Sequence, residues 1–172
     1  MLEKNKKQNR RGFTLIEVVI YLALFAFAIG FSVITFYQMI ASQNQNRAAV
    51  QTYSEANFLM QKIEWALVGA SAINQPALGA TSTTLSVNKY NFSQNPLVFS
   101  LSSGSLYLTR DSGQPVVLNS SNITVSNLVF NHLEATTSAP EGISINLSVV
   151  ASTSENMIKP STTLQTTIYL MK

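Results

Sequence analysis

Arg10-Arg11-Gly12-Phe13-Thr14-Leu15-Ile16-Glu17-Val18-Val19-Ile20 opens a run that stays apolar to about Ala41, broken in charge only by Glu17, and this stretch decides the fold. At about 1.5 Å per residue in a helix, residues 13–41 exceed the roughly 30 Å hydrocarbon core of a bilayer, so a membrane-spanning helix is expected. Lys4, Lys6, Lys7, Arg10 and Arg11 against Glu3 give residues 1–12 a net charge of +4, while the rest of the chain sums to −1. Basic residues crowded before an apolar span hold that end in the cytoplasm and leave the C-terminal part outside it. A secretory signal peptide cut near Ala26-Phe27-Ala28 is the bland alternative. It leaves unexplained both the carboxylate in the apolar run and the apolar residues Ile29, Phe31, Val33, Ile34 and Phe36 beyond the cut.

The rest of the 172 residues suits one further domain. Only 11% of the chain is charged, against a typical figure of about 25%, yet 46% is hydrophobic. Small polar residues fill the gap, with 18 Ser, 12 Thr and 10 Asn in residues 71–172, a composition that suits strands with neutral outer faces. The absence of Cys excludes a disulfide framework and thiol chemistry. Despite a pI near 9.3, the basic residues after Arg11 are scattered singletons, which argues against a nucleic-acid partner.

All five prolines lie at position 76 or later, so one continuous helix from Phe13 to about Ala72 is allowed. Its second half is amphipathic, with Val50, Tyr53, Asn57, Met60, Ile63 and Leu67 at spacings of three and four. Gly69, Pro76 and Gly79 mark its end. The period then changes to two, in Ile143, Ile145, Leu147 and Val149 and in Leu164, Thr166, Ile168 and Leu170. Shorter strand signals occur at 85–87, 97–101, 106–108, 116–118 and 123–130, while 135–142 and 151–162 read as polar loops. The expected fold is α+β: a long N-terminal helix packed on an antiparallel sheet domain. The organisation is a basic leader at 1–12, a membrane helix at 13–41, an amphipathic helix half at 42–75 and a Ser/Thr/Asn-rich β domain at 76–172.

Three residues at the N-terminus carry the functional signal. Gly12 supplies a flexible, unbranched bond at the membrane edge, suited to a protease that takes an extended peptide. Cleavage there would make Phe13 a free amino terminus. Glu17, one helical turn further on, costs on the order of 2.5–3.5 kcal/mol if its charge is unpaired in the bilayer, which a paired amine would offset. Taken alone, Glu17 could also pair with a polar group of an unrelated helix or face a water-filled cavity.

The sequence Gly12-Phe13-Thr14-Leu15-Ile16-Glu17, after a basic leader and before an apolar helix, resembles the type IV pilin and pseudopilin signature. The resemblance implies cleavage by a prepilin peptidase between Gly12 and Phe13, methylation of the new Phe13 amine, and Glu17 as the carboxylate that aligns subunits in a helical filament. It also implies an inner-membrane assembly platform and other major and minor pilin or pseudopilin subunits as partners, with the lipid bilayer as the storage site. The helix through Tyr53, Leu59, Ile63 and Ala70, with Pro115-Val116-Val117-Leu118 and Asn127-Leu128-Val129-Phe130 in the later region, is similar to J-type minor pseudopilins and minor pilins. Paired C-terminal cysteines and a proline in the membrane helix, common in major pilins, are missing. The implied destination is a type IV pilus, a competence pilus or a type II secretion pseudopilus.

Two other readings compete: an uncleaved membrane-anchored binding module, and an exported soluble domain beginning at Ile29. Enzymatic function is not expected, because no G-x-S-x-G elbow accompanies His132, read as a surface or loop residue near Glu134. Asp111, Glu134, Glu141 and Glu155 are too dispersed to suggest a metal cage, and no cofactor is implied. Trp65, beside Glu64, reads as a packing residue on the helix.

Overall fold

A computed structural model describes residues 12, 14–137, 139–152 and 159–170. Among the described residues, one helix, α1 (Leu15–Leu67), is followed by nine strands: β1 (Ala70–Gln75), β2 (Thr81–Ser82), β3 (Thr84–Lys89), β4 (Leu97–Ser102), β5 (Ser105–Arg110), β6 (Val116–Val117), β7 (Ile123–Leu133), β8 (Gly142–Ala151) and β9 (Ser161–Tyr169). The chain divides into two units, Met1–Asn44 and Gln45–Lys172. The fold is α+β, with every strand pairing antiparallel.

In the second unit the strands form two sheets rather than the single one expected. The first has the order β1-β3-β4-β5-β6 and the second β2-β7-β8-β9. Alternation sets which side chains turn inward. Leu85 lies opposite Phe99 and Phe99 opposite Leu108, and in the second sheet Leu147 lies between Leu128 and Leu164. These side chains and the helix residues Ala56, Leu59, Met60, Ile63, Ala66 and Leu67 make one core.

The helix face that enters this core includes Met60, Ile63 and Leu67 of the stripe the spacing suggested, but departs from that stripe in its earlier turns. Thr52, Ala56, Leu59, Ile63 and Ala66 are fully buried, whereas Val50 and Tyr53 are 68% and 57% exposed. At about 100° per residue, Val50 lies half a turn from Leu59, while Thr52 and Ala56 lie on the same face as Leu59. Small side chains thus bring the helix onto the sheet, a role that a hydropathy stripe does not show.

The helix also ends sooner than expected. Its last turn closes with Val68 N donating to the Glu64 carbonyl at 2.8 Å, and Gly69 takes φ +76°. That left-handed residue stops the helix at negligible steric cost. Residues 70–75, assigned above to the amphipathic helix, are instead strand β1, paired with β3. The last turn of α1 contains no basic residue. Lys89 of β3 supplies one: its ammonium donates to the Trp65 carbonyl and lies 4.2 Å from the centre of the Trp65 ring. Burial lowers the Lys89 pKa from the ordinary lysine value. Trp65 is therefore a packing residue at the rim, half-exposed and edge-on to Phe92 at 5.8 Å, rather than a core residue.

Neutral polar side chains do more than cover outer faces. Asn119 accepts from Leu106 N at 2.8 Å and donates to the Ile123 carbonyl at 2.7 Å, while Glu55 of α1 accepts from Ser120 N at 2.7 Å. Asn95 likewise donates to the carbonyls of Lys89 and Phe92, both at 2.8 Å. The β4–β5 hairpin turns on Ser103 and Gly104, both with positive φ. A side chain at Gly104 would meet Thr124 Cγ2 at 2.6 Å, and the Gly104 carbonyl accepts from Val125 N, joining the two sheets.

His132 is a correction. It is a buried residue of β7, 4% exposed, rather than a surface or loop histidine. Its Nδ1 lies 2.9 Å from the Pro76 carbonyl oxygen and its Nε2 3.0 Å from Glu141 Oε1. Both partners come from connections distant in sequence or from another strand's approach, so no local pattern announces them. Because truncation removes two hydrogen bonds made by a buried side chain, His132→Ala is expected to cost about 2–3 kcal/mol of stability in a urea titration. A change under about 0.5 kcal/mol, the level of an ordinary surface substitution, would contradict this clasp.

Candidate functional site at the N-terminal turn of the long helix

The first unit contains the N-terminal turn of α1. Thr14 immediately precedes the helix, and its carbonyl accepts from Glu17 N at 3.1 Å and Val18 N at 3.2 Å. Thr14-Leu15-Ile16-Glu17 has the Thr-x-x-Glu spacing of a capping box, which starts a helix where backbone N–H groups lack partners. A carboxylate in this turn also meets the positive end of the helix dipole. The same glutamate that stands out as a charge in an apolar run is therefore a favourable helix-starting residue.

Two hydroxyls of the same chain approach this carboxylate. Thr14 Oγ1 lies 3.5 Å from Glu17 Oε2 and Tyr21 Oη 3.4 Å from Glu17 Oε1. Tyr21 is four residues after Glu17 and Thr14 three before it, so all three lie along one helix face. Glu17 is consequently half-buried among exposed neighbours. Neither hydroxyl was singled out from the sequence. The Thr-x-x-Glu spacing could have revealed Thr14, whereas a tyrosine within an apolar run reads simply as one more apolar residue.

The surrounding helix surface is unsuited to water. Leu15, Phe27, Phe31 and Phe36 are 85, 72, 73 and 68% exposed. The helix is long and apolar enough to cross a membrane, and none of its most apolar window is buried. Two further hydroxyls are satisfied within the helix itself: Ser32 Oγ donates to the Ala28 carbonyl at 2.8 Å and Thr35 Oγ1 to the Phe31 carbonyl at 2.9 Å. Such back-bonding lets a polar side chain sit in lipid without an unmade hydrogen bond.

Gly12 has no structural requirement for glycine. A Cβ there would meet nothing within 4 Å among the described residues. Phe13, the expected new terminus, lies outside the described residues, as do Arg10 and Arg11. Among the described residues no group of three or more His, Asp or Glu side chains could hold a metal ion. His132 and Glu141 belong to the second unit.

Residues 7–33 match the family described as the prokaryotic N-terminal methylation motif. That match includes Gly12, Phe13, Thr14, Glu17 and Tyr21 and stops short of every strand. No curated protein and no solved structure matches the chain.

Proposed function

We propose, from the prepilin-type methylation motif matched at residues 7–33, that this chain is a type IV pilin-like protein and a minor structural subunit of a type IV pilus, competence pilus or type II secretion pseudopilus. A prepilin peptidase cuts between Gly12 and Phe13, and the freed Phe13 amine is methylated. The subunit is stored in the inner membrane with its N-terminus on the cytoplasmic side and its β domain outside the cytoplasm. It catalyses nothing.

The observation that supports this most is the carboxylate of Glu17, held at a helix start on a surface of exposed apolar side chains. Among the described residues, the side-chain groups that approach that carboxylate are two hydroxyls. The Phe13 amine of a neighbouring subunit offers an opposite charge, and an ion pair in a dry environment is favourable when its geometry and remaining hydrogen bonds are good. Pairing selects one longitudinal register between helices, because Phe13 and Glu17 are separated by a fixed four positions along the chain. The exposed phenylalanines and leucines then exchange lipid for neighbouring helices. The assembly platform and the other pilin-type subunits are the partners in that exchange.

Minor rank is supported by the resemblance to J-type subunits and by the lack of paired cysteines. Neutral Ser, Thr and Asn side chains on the sheets can enter contacts with other minor subunits without the desolvation cost of charge.

The test is Glu17→Val. Membrane insertion is expected to persist, because the substitution removes a charge from an apolar span. Incorporation into sheared filaments, quantified by mass spectrometry, is expected to fall at least about tenfold, since removing one member of a desolvated pair strands the other. Wild-type incorporation would overturn the alignment role.

A further inference from the structure

We infer that the outer edge of β9 is a docking edge for another protein chain: an extended, uncharged segment of the partner adds to Ser161–Tyr169 as a further strand of the β2-β7-β8-β9 sheet. The inference goes beyond the proposed function and does not depend on it.

Four strands stand at the edges of the two sheets: β1 and β6 in the first, β2 and β9 in the second. Unpaired backbone groups at such an edge invite a further strand, and natural sheets guard against this by shortness, bulges, charge or proline. Three of the four edges are guarded. β2 and β6 have two residues each, and the register of β1 along β3 shifts twice. β9 has none of these guards, because its nine residues pair with β8 without a shift and none of them is charged or proline.

The hydrogen bonds that bracket β9 fix which of its backbone groups face outward. Leu170 N donates to the Glu141 carbonyl at one end, and Ala151 N donates to the Pro160 carbonyl at the other. Even-numbered positions therefore exchange hydrogen bonds with β8, since bonded and non-bonded pairs alternate along an antiparallel ladder. Ser161, Thr163, Gln165, Thr167 and Tyr169 turn their N–H and carbonyl groups the other way. Among the described residues no strand pairs with them there.

The side chains along the edge select the partner's chemistry. Leu164 and Ile168 pack against the core from its margin and are only half-buried. Apolar side chains at alternate positions of an added strand would cover them. On the opposite face Gln165 and Thr167 lie in register with Asn146 and Ser144, all neutral. A charge on the incoming strand would lose water there without gaining a counter-charge. The segment that fits is extended, apolar at every second residue and neutral between. Backbone pairing then supplies affinity, and the alternation supplies specificity.

The probe is a synthetic peptide of alternating threonine and valine, with a control in which lysine replaces threonine. Amide hydrogen exchange is read residue by residue by NMR on the full chain in detergent micelles. Without peptide, the amides of Thr163, Gln165 and Thr167 are expected to exchange faster than those of Leu164, Thr166 and Ile168, which face β8. Millimolar neutral peptide is expected to slow the first three at least about fivefold, and the lysine peptide to leave them unchanged. Thr167→Pro removes one outward N–H and leaves the β8 ladder intact, so the slowing at Thr163 and Gln165 is expected to disappear while Leu164 stays protected. If that variant also loses protection at Leu164, Gln165→Lys takes its place, since a charge on the edge is expected to weaken the slowing as a natural guard does. Three results overturn the inference: no slowing by the neutral peptide, equal slowing by the lysine peptide, or equal slowing in the variant that keeps Leu164 protected. Outward amides already protected without peptide overturn it too, because the edge is then covered by the chain itself or by a second copy. No filament enters the measurement, so the subunit reading can fail or stand separately.

Discussion

Gly12→Val is expected to leave the uncleaved chain as the dominant membrane species. Among the described residues nothing crowds this position, because a side chain at Gly12 would meet no neighbour within 4 Å. A valine there should leave the helix start at Thr14 and the span that follows undisturbed. Under the proposed function, the requirement for glycine lies with the prepilin peptidase, which must bring the peptide bond against its reacting groups. A branched side chain beside that bond displaces it, and a misplacement of about 1 Å in such a site can cost about 100-fold in rate. Intact chain and processed chain differ by the whole leader, so gel mobility of membrane extracts from cells with an active prepilin peptidase reads the outcome. Processing at the wild-type rate would show that the cut does not depend on Gly12.

The second large effect is expected in the β domain. Phe130 is fully buried on β7, where it lies opposite Ile145 of β8 and Ser82 of β2. Phe130→Ala is expected to cost about 3–5 kcal/mol, through lost burial and the cavity left behind. Against a typical stability of about 5–15 kcal/mol this removes a large share. The unit Gln45–Lys172 contains every residue of the core, so residues 45–172 expressed without the apolar segment should fold as a soluble domain with mixed helix and strand. A urea titration of that fragment measures the effect. Val50→Ala in the same fragment should change stability by less than about 0.5 kcal/mol, because Val50 is exposed. A reversed order of the two effects would place the wrong helix face on the sheets.

That contrast marks what the sequence could reveal. The N-terminal turn is legible because its signals are local: charge, glycine, glutamate and an apolar run follow one another within a few turns. The longer strands β8 and β9 announce themselves by alternation, whereas β7 changes phase at a bulge between Val125 and Asn127. Buried Thr52 and Ala56 do not, because their small side chains carry little hydropathy, and the neighbouring Val50 and Tyr53 drew the apparent stripe away. β1, Ala70–Gln75, lacks alternation and is defined by its pairing with β3. The division into two sheets depends on β2 joining β7 across some fifty residues of chain, which no local period can encode. His132 was misjudged for a related reason, since its partners Pro76 and Glu141 come from separate connections. Tyr21 lay in plain view, but its hydroxyl becomes informative only when the helix sets it beside Glu17.

The mature N-terminus of the chain is read directly by intact mass. The chain should be isolated from membranes and from sheared filaments of cells with an active prepilin peptidase. The account predicts a mature chain beginning at Phe13 and carrying one added methyl group. A chain that retains Met1, as an uncleaved membrane-anchored module would, or one that begins at Ile29, as an exported soluble domain would, contradicts it.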